Sequence, residues 1–453
     1  MGSGKKVNLW GMTLFTICGI LVLDTFVAPA IIGVSSITIW IITAIFFFIP
    51  YGLIVAELGA SYPEDGGIYF WIKKAFGDLV GTINGWFYWV NVAFWMPAVF
   101  VAFSTWFSMA FFPELGDWTC AFIAIALCWL IVLIGVRGIQ LSVLVTNIAA
   151  IAKAAVFLIF GVLGVIYVAN NGFINDFSIS EFFPTFDNAL NYAPAIVYNL
   201  LGFELISSIA SSIEKPEKNI PKMAIFSGIV IALLYVFGTF GVLASMPVDE
   251  IDAVDGFFFS LQELCTVFGS SADLIFKGLI IVALFTLIAN MVSWTLGAVE
   301  TLNAAELGKK SKLLAHKNKN DVPDYSYYIM GILATLLIVL NYTFAGDANE
   351  VFWTIMSFSF VIFLIPYAFL FPAYLKLHHS DKGVKRAYKV PGGTVGAWIC
   401  AILCFVFLCT SIVLLFDPEM GSVYMYTLVI GTLLTTVFGF MLYLSGKKME
   451  KEA

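Results

Sequence analysis

The chain has 453 residues, 61% hydrophobic, 16% aromatic and only 12% charged, with a formal net charge of −7. Soluble domains carry about twice that share of charge, so a water-soluble globular protein is excluded. Apolar stretches of about 20 residues recur along the whole length, each long enough to cross the hydrocarbon core, and identify a polytopic membrane protein.

Twelve spans are predicted, at 8–33, 37–60, 78–111, 118–136, 141–168, 190–213, 220–246, 272–303, 325–344, 349–378, 394–416 and 420–445. The opening MGSGKK fits an N-myristoylation pattern poorly. The first span is not a cleaved signal, because it continues past a proline, holds an acid and lacks a small-residue cleavage site. Within it, LVLDTFVAPAIIGV places Asp24 inside an apolar run that the Phe26–Pro29 turn then interrupts. The second span holds Glu57 near one end, and the third carries Tyr88, Trp89, Asn91, Phe94 and Trp95. The fifth has a lone Lys153. The sixth, NYAPAIVYNLLGFELISSIASS, has Gly202 between two apolar halves, with Tyr198, Phe203 and Glu204 beside it. The eighth contributes Trp294 and Glu300, and the tenth Ser357. The seven cysteines have no metal or disulfide spacing and read as core filler.

The charges sort by loop. Nearly all lysines and arginines fall at the N-terminus, in alternate loops and in the C-terminal tail, from Lys5, Lys73 and Lys215 to Lys309, Arg386 and Lys447. By the positive-inside rule both termini are cytoplasmic and the span count is even. The opposite face carries acids such as Glu114, Asp187, Asp252, Asp255, Glu263, Asp347, Glu350, Asp417 and Glu419, against Lys277 alone. A single-sign field over a vestibule concentrates cations. Equally, acids merely fill what basic residues leave, since they contribute little to topology.

No soluble domain is present, and the longest basic loops are 304–324 and 379–393. The helix pattern fails at corresponding places, in the first and sixth spans, five spans apart. Paired interrupted helices in two halves point to an inverted-repeat transporter with a site near the midplane. Unwound backbone at that depth is tolerable only where it is buried in protein or lines a cavity.

PEDGGIYFWIKKAFG after the second span resembles a loop of amino acid–polyamine–organocation (APC) transporters. GFELISSIASSIEKPEKNIPKMAI is similar to their sixth helix and the loop after it, SWTLGAVETLNAA to their eighth and FSFVIFLIPYAFLFPAYL to their tenth. VPGG at 390–393 is most like the glutamate/GABA antiporter branch. The resemblance covers residues 8–445. It implies an all-helical fold of twelve transmembrane helices. Residues 8–168 and 190–378 would form a five-plus-five inverted repeat with helices 1 and 6 broken, and 394–445 two extra helices. It also implies sodium-independent exchange of small amines or amino acids.

One departure is informative. Amino-acid carriers of this superfamily usually place a Gly-Ser-Gly-type turn in helix 1, whose bare N–H groups hold the substrate carboxylate. Here Val22-Leu23-Asp24 stands there. An aspartate would repel a carboxylate and attract an amine. The match is therefore closest to bacterial agmatine/putrescine exchangers.

The expected substrate-binding set is Asp24, Tyr88, Asn91, Tyr198, Phe203, Glu204, Trp294 and Ser357. An ionisable group within a span costs about 2.5–3.5 kcal/mol on insertion scales and marks function by default. Lys153 has two readings: a neutralising partner for Asp24, or, as in some sodium-independent relatives, a substitute for the missing sodium or a gate. Glu204 matches a glutamate that related antiporters keep for gating, and it would also suit the second end of a dication. Aromatic faces suit ammonium or guanidinium groups, and the resemblance puts Tyr198 and Trp294 against the substrate. Asn91 and Ser357 are polar candidates that could equally bond neighbouring helices. Glu57 and Glu300 read as structural.

All three histidines, His316, His378 and His379, are placed in loops, and no catalytic, metal-ligand or phosphate-binding pattern stands out. No enzyme, cofactor, metal or nucleic-acid partner is expected, and a sensor would need a signalling domain. The predicted function is exchange of cationic amines, agmatine for putrescine, in a cell membrane. The alternative is exchange of an amino acid for its decarboxylation product, such as tyrosine/tyramine or glutamate/GABA. The oligomeric state stays open.

Overall fold

The computed structural model describes residues 6–185, 192–305, 314, 316–344, 348–416 and 421–452. Asp187, Asp347, Asp417, Glu419, Lys5 and Lys309 lie outside the described residues, as do the side chains of Glu350 and Lys447. The described chain is helical, and its one isolated β-bridge joins Val7 to Ile213. Among the described residues, ten helices are long and apolar enough to cross a membrane.

These ten are the second span Ser35–Ser61, the third Asp78–Phe111, the fourth Asp117–Gly135, the fifth Ile139–Asn171, the seventh Pro216–Ser245, the eighth within Gly256–Ala304, and the ninth to twelfth. The ninth is Asp324–Phe344, the tenth Ala348–Ser380, the eleventh Gly393–Leu415 and the twelfth Ser422–Glu452. The remaining two spans are in pieces. The first is Leu9–Ile20 followed by a 3-10 turn at Ala28–Ile32, and the sixth is Ala193–Asn199 followed by a 3-10 stretch at Leu205–Ser212. Both interruptions lie where Asp24 and Gly202 predict them. Two short helices, Ile68–Phe76 and Gly256–Cys265, were not anticipated, and the second span contains a π-type turn at Ala44–Phe48.

The third and tenth spans are the most enclosed, and the eleventh and twelfth the least. Exposed apolar side chains such as Val395, Ile402, Leu433 and Met441 cover those last two helices. Such surfaces suit lipid, where no water competes for burial. The first span packs on the fifth, seventh and eighth, and the third packs on the eighth and tenth. The first broken span is thereby enclosed by spans from early and late in the chain.

Three sets of contacts on the basic face hold chain ends in place, two of them at the broken spans. Val7 N–H donates to Ser212 O at 2.8 Å and Glu214 N–H to Val7 O at 2.9 Å, tying the N-terminal segment to the end of the sixth span. In the PEDGG loop, Gly66 N–H donates to Ser208 O at 3.1 Å, and Asp65 accepts from Ser211 N–H at 2.8 Å. Gly66 and Gly67 take φ of +94° and +45°, and a Cβ on Gly67 would stand 3.0 Å from Glu204 O. Only glycine combines that backbone with so close an approach. The motif thus docks a loop directly on the sixth span.

The third contact is at Glu57, which is fully buried. Its carboxylate accepts from Arg386 at 2.7 Å, Tyr374 at 3.1 Å and Val390 N–H at 2.8 Å, with His378 Nδ1 at 2.8 Å. Each lone pair finds a partner, which offsets the desolvation of the charge. Glu57 therefore pins the loop after the tenth span, a structural role. His378 and His379 lie in the last helical turn of that span rather than in a loop, because the helix runs on to Ser380.

On the acidic face several carboxylates have local partners. Asp255 accepts from Trp106 Nε1 at 2.9 Å, Glu263 from Tyr167 at 2.6 Å, Asp252 caps Val254 and Asp255 N–H, and Asp273 pairs with Lys277. For these residues the local structural reading suffices.

Candidate functional site

A helix end buried in protein must find donors for its last carbonyls. Leu21 N–H still bonds Ile17 O at 3.0 Å, but its backbone is extended (φ −68°, ψ 116°), so the carbonyls of residues 18–21 lose their helical donors. Each has a side-chain replacement. Lys153 Nζ donates to Cys18 O at 2.8 Å and Leu21 O at 2.5 Å, Trp294 Nε1 to Gly19 O at 2.7 Å, and Tyr235 Oη to Ile20 O at 2.5 Å. Lys153 also donates to Asn290 Oδ1 at 2.9 Å. A cation at a helix C-terminus complements the helix dipole as well. Lys153 thus has three oxygen partners, none of them from Asp24.

The sixth span is interrupted in the same way. Asn199 ends its first helix, and Gly202 turns the chain with φ +129°. Tyr235 Oη lies 3.2 Å from Asn199 O and accepts Val22 N–H at 2.9 Å, so one hydroxyl touches both interruptions. Thr25 Oγ1 adds a second link, donating to Asn199 Oδ1 at 2.6 Å. Gly202 and Phe203 N–H both donate to Tyr51 Oη at 3.1 Å.

Asp24 sits in the first interruption and is 3% exposed. Its Oδ2 accepts from Trp95 Nε1 at 2.8 Å, while Oδ1 has no partner among the described residues. The Trp95 ring meets Tyr198 at 5.8 Å and Trp294 at 5.5 Å, both edge to face. Tyr198 packs on Phe360 at 4.1 Å and Phe363 at 5.2 Å, and Phe363 meets Trp294 at 5.2 Å. A buried carboxylate oxygen left without a donor, close to a cluster of aromatic rings, has the chemistry to meet an organic cation. Asn91 Nδ2, Asn199 Nδ2, Tyr198 Oη and Ser357 Oγ are also buried with no hydrogen bond of good geometry among the described residues. Asn91 Oδ1 accepts from Ser359 Oγ at 2.6 Å.

Glu204 holds three hydroxyl donors. Tyr88 and Tyr367 donate to Oε1 at 2.7 and 2.6 Å, and Tyr51 donates to Oε2. Phe363 touches Tyr198 and Trp294 of the Asp24 set and Tyr88 (5.6 Å) and Tyr367 (5.0 Å) of the Glu204 set. A continuous cluster of rings thus links the surroundings of Asp24 to those of Glu204.

Of the residues singled out from the sequence, Asp24, Tyr198 and Trp294 come together with Trp95, and Tyr88 joins Glu204. Phe203 points elsewhere. Its ring stacks on Phe48 at 4.6 Å in the slot between Gly52 and Gly228, where added Cβ atoms would stand 3.1 and 3.2 Å away. It lines a 440 Å³ cavity with Ile45, Ile49, Ile229 and Leu233, whose side chains are exposed or half-buried. Trp95 was one aromatic among several in the sequence, and Tyr51, Tyr235, Phe363 and Tyr367 carried no distinguishing signal. Among the described residues no His/Cys/Asp/Glu group is fit to hold a metal ion.

The comparisons agree with this architecture. The family profile described as amino acid permease matches residues 7–438. A probable agmatine/putrescine antiporter of Lactococcus lactis is 33% identical over 396 residues, 86% of this chain and 84% of that protein. A glutamate/gamma-aminobutyrate antiporter of the same species is 23% identical, covering 97% of this chain and 90% of that protein. The solved manganese transporter of Eremococcus coleocola superposes with a TM-score of 0.61 at 13% identity, covering 97% of this chain and 95% of that one, a likeness of fold. The chain is a multi-pass membrane transporter, not an enzyme, and belongs to the amino acid permease family of the APC superfamily.

Proposed function

We propose that the protein is a sodium-independent exchanger of cationic amines, taking agmatine against putrescine, with both termini cytoplasmic and the halves 8–168 and 190–378 related as inverted repeats. The observation that carries this reading is the unpartnered Oδ1 of buried Asp24, whose other oxygen is held by Trp95, a ring that itself packs on Tyr198 and Trp294. A cation entering there gains both the carboxylate and the ring faces. Both amines are dications at neutral pH, so one-for-one exchange moves no net charge. The 33% identity to a probable agmatine/putrescine antiporter supports the same reading.

Glu204 takes the gate in this scheme. Its oxygens already hold three tyrosine hydroxyls in a fully buried place, so a second ammonium competes with them for the carboxylate. Lys153 braces the first interruption in place of a metal ion.

A second reading, exchange of an amino acid for its decarboxylation product, draws on the unpartnered amides of Asn91 and Asn199, which are able to meet a carboxylate. Proteoliposomes loaded with putrescine separate the two readings: they should accumulate labelled agmatine without sodium, and empty ones should not.

The cage makes its own prediction. Tyr198 Oη makes no hydrogen bond of good geometry among the described residues, with Asn91 and Ser359 its polar neighbours, so Tyr198→Phe keeps the ring and gives up little. Its KM for agmatine should stay within about threefold of the parent. Tyr198→Leu removes the π face and should raise KM about 30-fold, corresponding to roughly 2 kcal/mol for a desolvated cation–π contact. Similar KM values for the two variants would assign the ring to packing. Trp294 is a poorer probe, because its indole N–H also holds Gly19 O.

A further inference from the structure

A phenol hydroxyl has one proton to give and two lone pairs to offer. Tyr51 uses all three. It accepts N–H bonds from Gly202 and Phe203 and donates to Glu204 Oε2. Neither amide has a helical acceptor left. Tyr198 O is taken by Leu201 N–H at 3.1 Å, and Asn199 O faces Tyr235 Oη. With both lone pairs engaged by the amides, the hydroxyl proton has Glu204 as its acceptor. The bond to Glu204 and the bonds to the interrupted backbone are therefore made by one atom.

We propose that Tyr51 is a positioning residue that joins the engagement of Glu204 to the conformation of the sixth-span interruption. Tyr235 performs the reciprocal task on the first. Tyr51 belongs to the second span, yet it holds the interruption of the sixth. Tyr235 belongs to the seventh span and holds Val22 N–H and Ile20 O of the first. The second and seventh spans are the second helices of the two halves. Each half thus supplies a tyrosine hydroxyl to the interruption of the other. Two stacked contacts orient the rings, Tyr51 on Phe47 at 5.8 Å and Tyr235 on Trp40 at 4.5 Å. Replacement by phenylalanine preserves that stacking and deletes only the hydroxyl.

Amide hydrogen exchange of the full chain in lipid nanodiscs tests this without reference to what is carried. Tyr51→Phe should speed exchange about tenfold in peptides covering 200–205 and leave 20–25 unchanged. Tyr235→Phe should speed exchange in 20–25, at Val22, and leave the Gly202 and Phe203 amides protected. A merely structural role would loosen both segments in both variants, and that result overturns the proposal. So does unchanged exchange at 200–205 in Tyr51→Phe. If Tyr51→Phe fails to fold, Glu204 variants take its place. Glu204→Gln, which still accepts a hydrogen bond, should keep 200–205 protected, and Glu204→Leu should not. Equal exchange in those two variants rejects the coupling. Because the readout is backbone protection, it stands or falls separately from the amine reading.

Discussion

Asp24→Asn should lose nearly all agmatine–putrescine exchange while the protein stays folded and monodisperse. The asparagine Oδ1 can still accept from Trp95 Nε1, so the local geometry survives and only the charge goes. Removing one partner of a buried charge pair costs about 2–5 kcal/mol, or roughly 30- to 5,000-fold in affinity. Asp24 has one donor and a free oxygen, so no other group in the site replaces the lost charge. The check is counterflow in proteoliposomes beside size-exclusion of the same preparation. Transport at the parental rate would remove Asp24 from the binding site.

Lys153→Met should be the most destabilising single change in the transport core. It leaves Cys18 O, Leu21 O and Asn290 Oδ1 without their donor, in a buried place that water does not reach. An unsatisfied buried acceptor costs about 1–3 kcal/mol, so the three together remove roughly 3–9 kcal/mol. Thermal unfolding in detergent should show a clear fall, and exchange should be lost with it, because the first interruption no longer holds its shape. The double variant Asp24→Asn with Lys153→Met distinguishes this from simple neutralisation. If the two side chains existed to cancel each other, removing both charges would restore stability. With Lys153 bonded to carbonyls and Asp24 to an indole, the double variant should be no more stable than Lys153→Met alone.

The spans and their interruptions were legible because an apolar run of twenty residues has a narrow range of folds in a membrane. An aspartate, a lysine or a mid-run glycine stands out against it. What satisfies the interruptions was not legible. Tyr51, Tyr235 and Tyr367 are three of 18 tyrosines, and their bonds reach across 150 or more residues of chain. No local pattern selects them. Phe203 shows a second limit: beside Gly202 the helical period stops, so spacing no longer says which way a ring points. Its ring turns toward Gly52 and Gly228, away from the acid that sequence proximity suggested. Glu204 looked like a free carboxylate because its three hydroxyl partners come from the second, third and tenth spans. The choice of Trp95 over its neighbour Trp89 came only with the approach of the third span to Asp24.

The amine reading rests on discrimination against the α-carboxylate. Arginine and agmatine differ only by that group, as do ornithine and putrescine. Brought beside Asp24, a second carboxylate meets like charge in a site closed to water, and it must accept repulsion or take up a proton. Competition by unlabelled arginine and ornithine against labelled agmatine, in proteoliposomes loaded with putrescine, measures this directly. The account predicts that at neutral pH each amino acid needs at least about 100-fold the concentration of its amine for equal inhibition, equivalent to roughly 2.7 kcal/mol. Equal inhibition by arginine and agmatine would contradict it and assign the site to an amino acid.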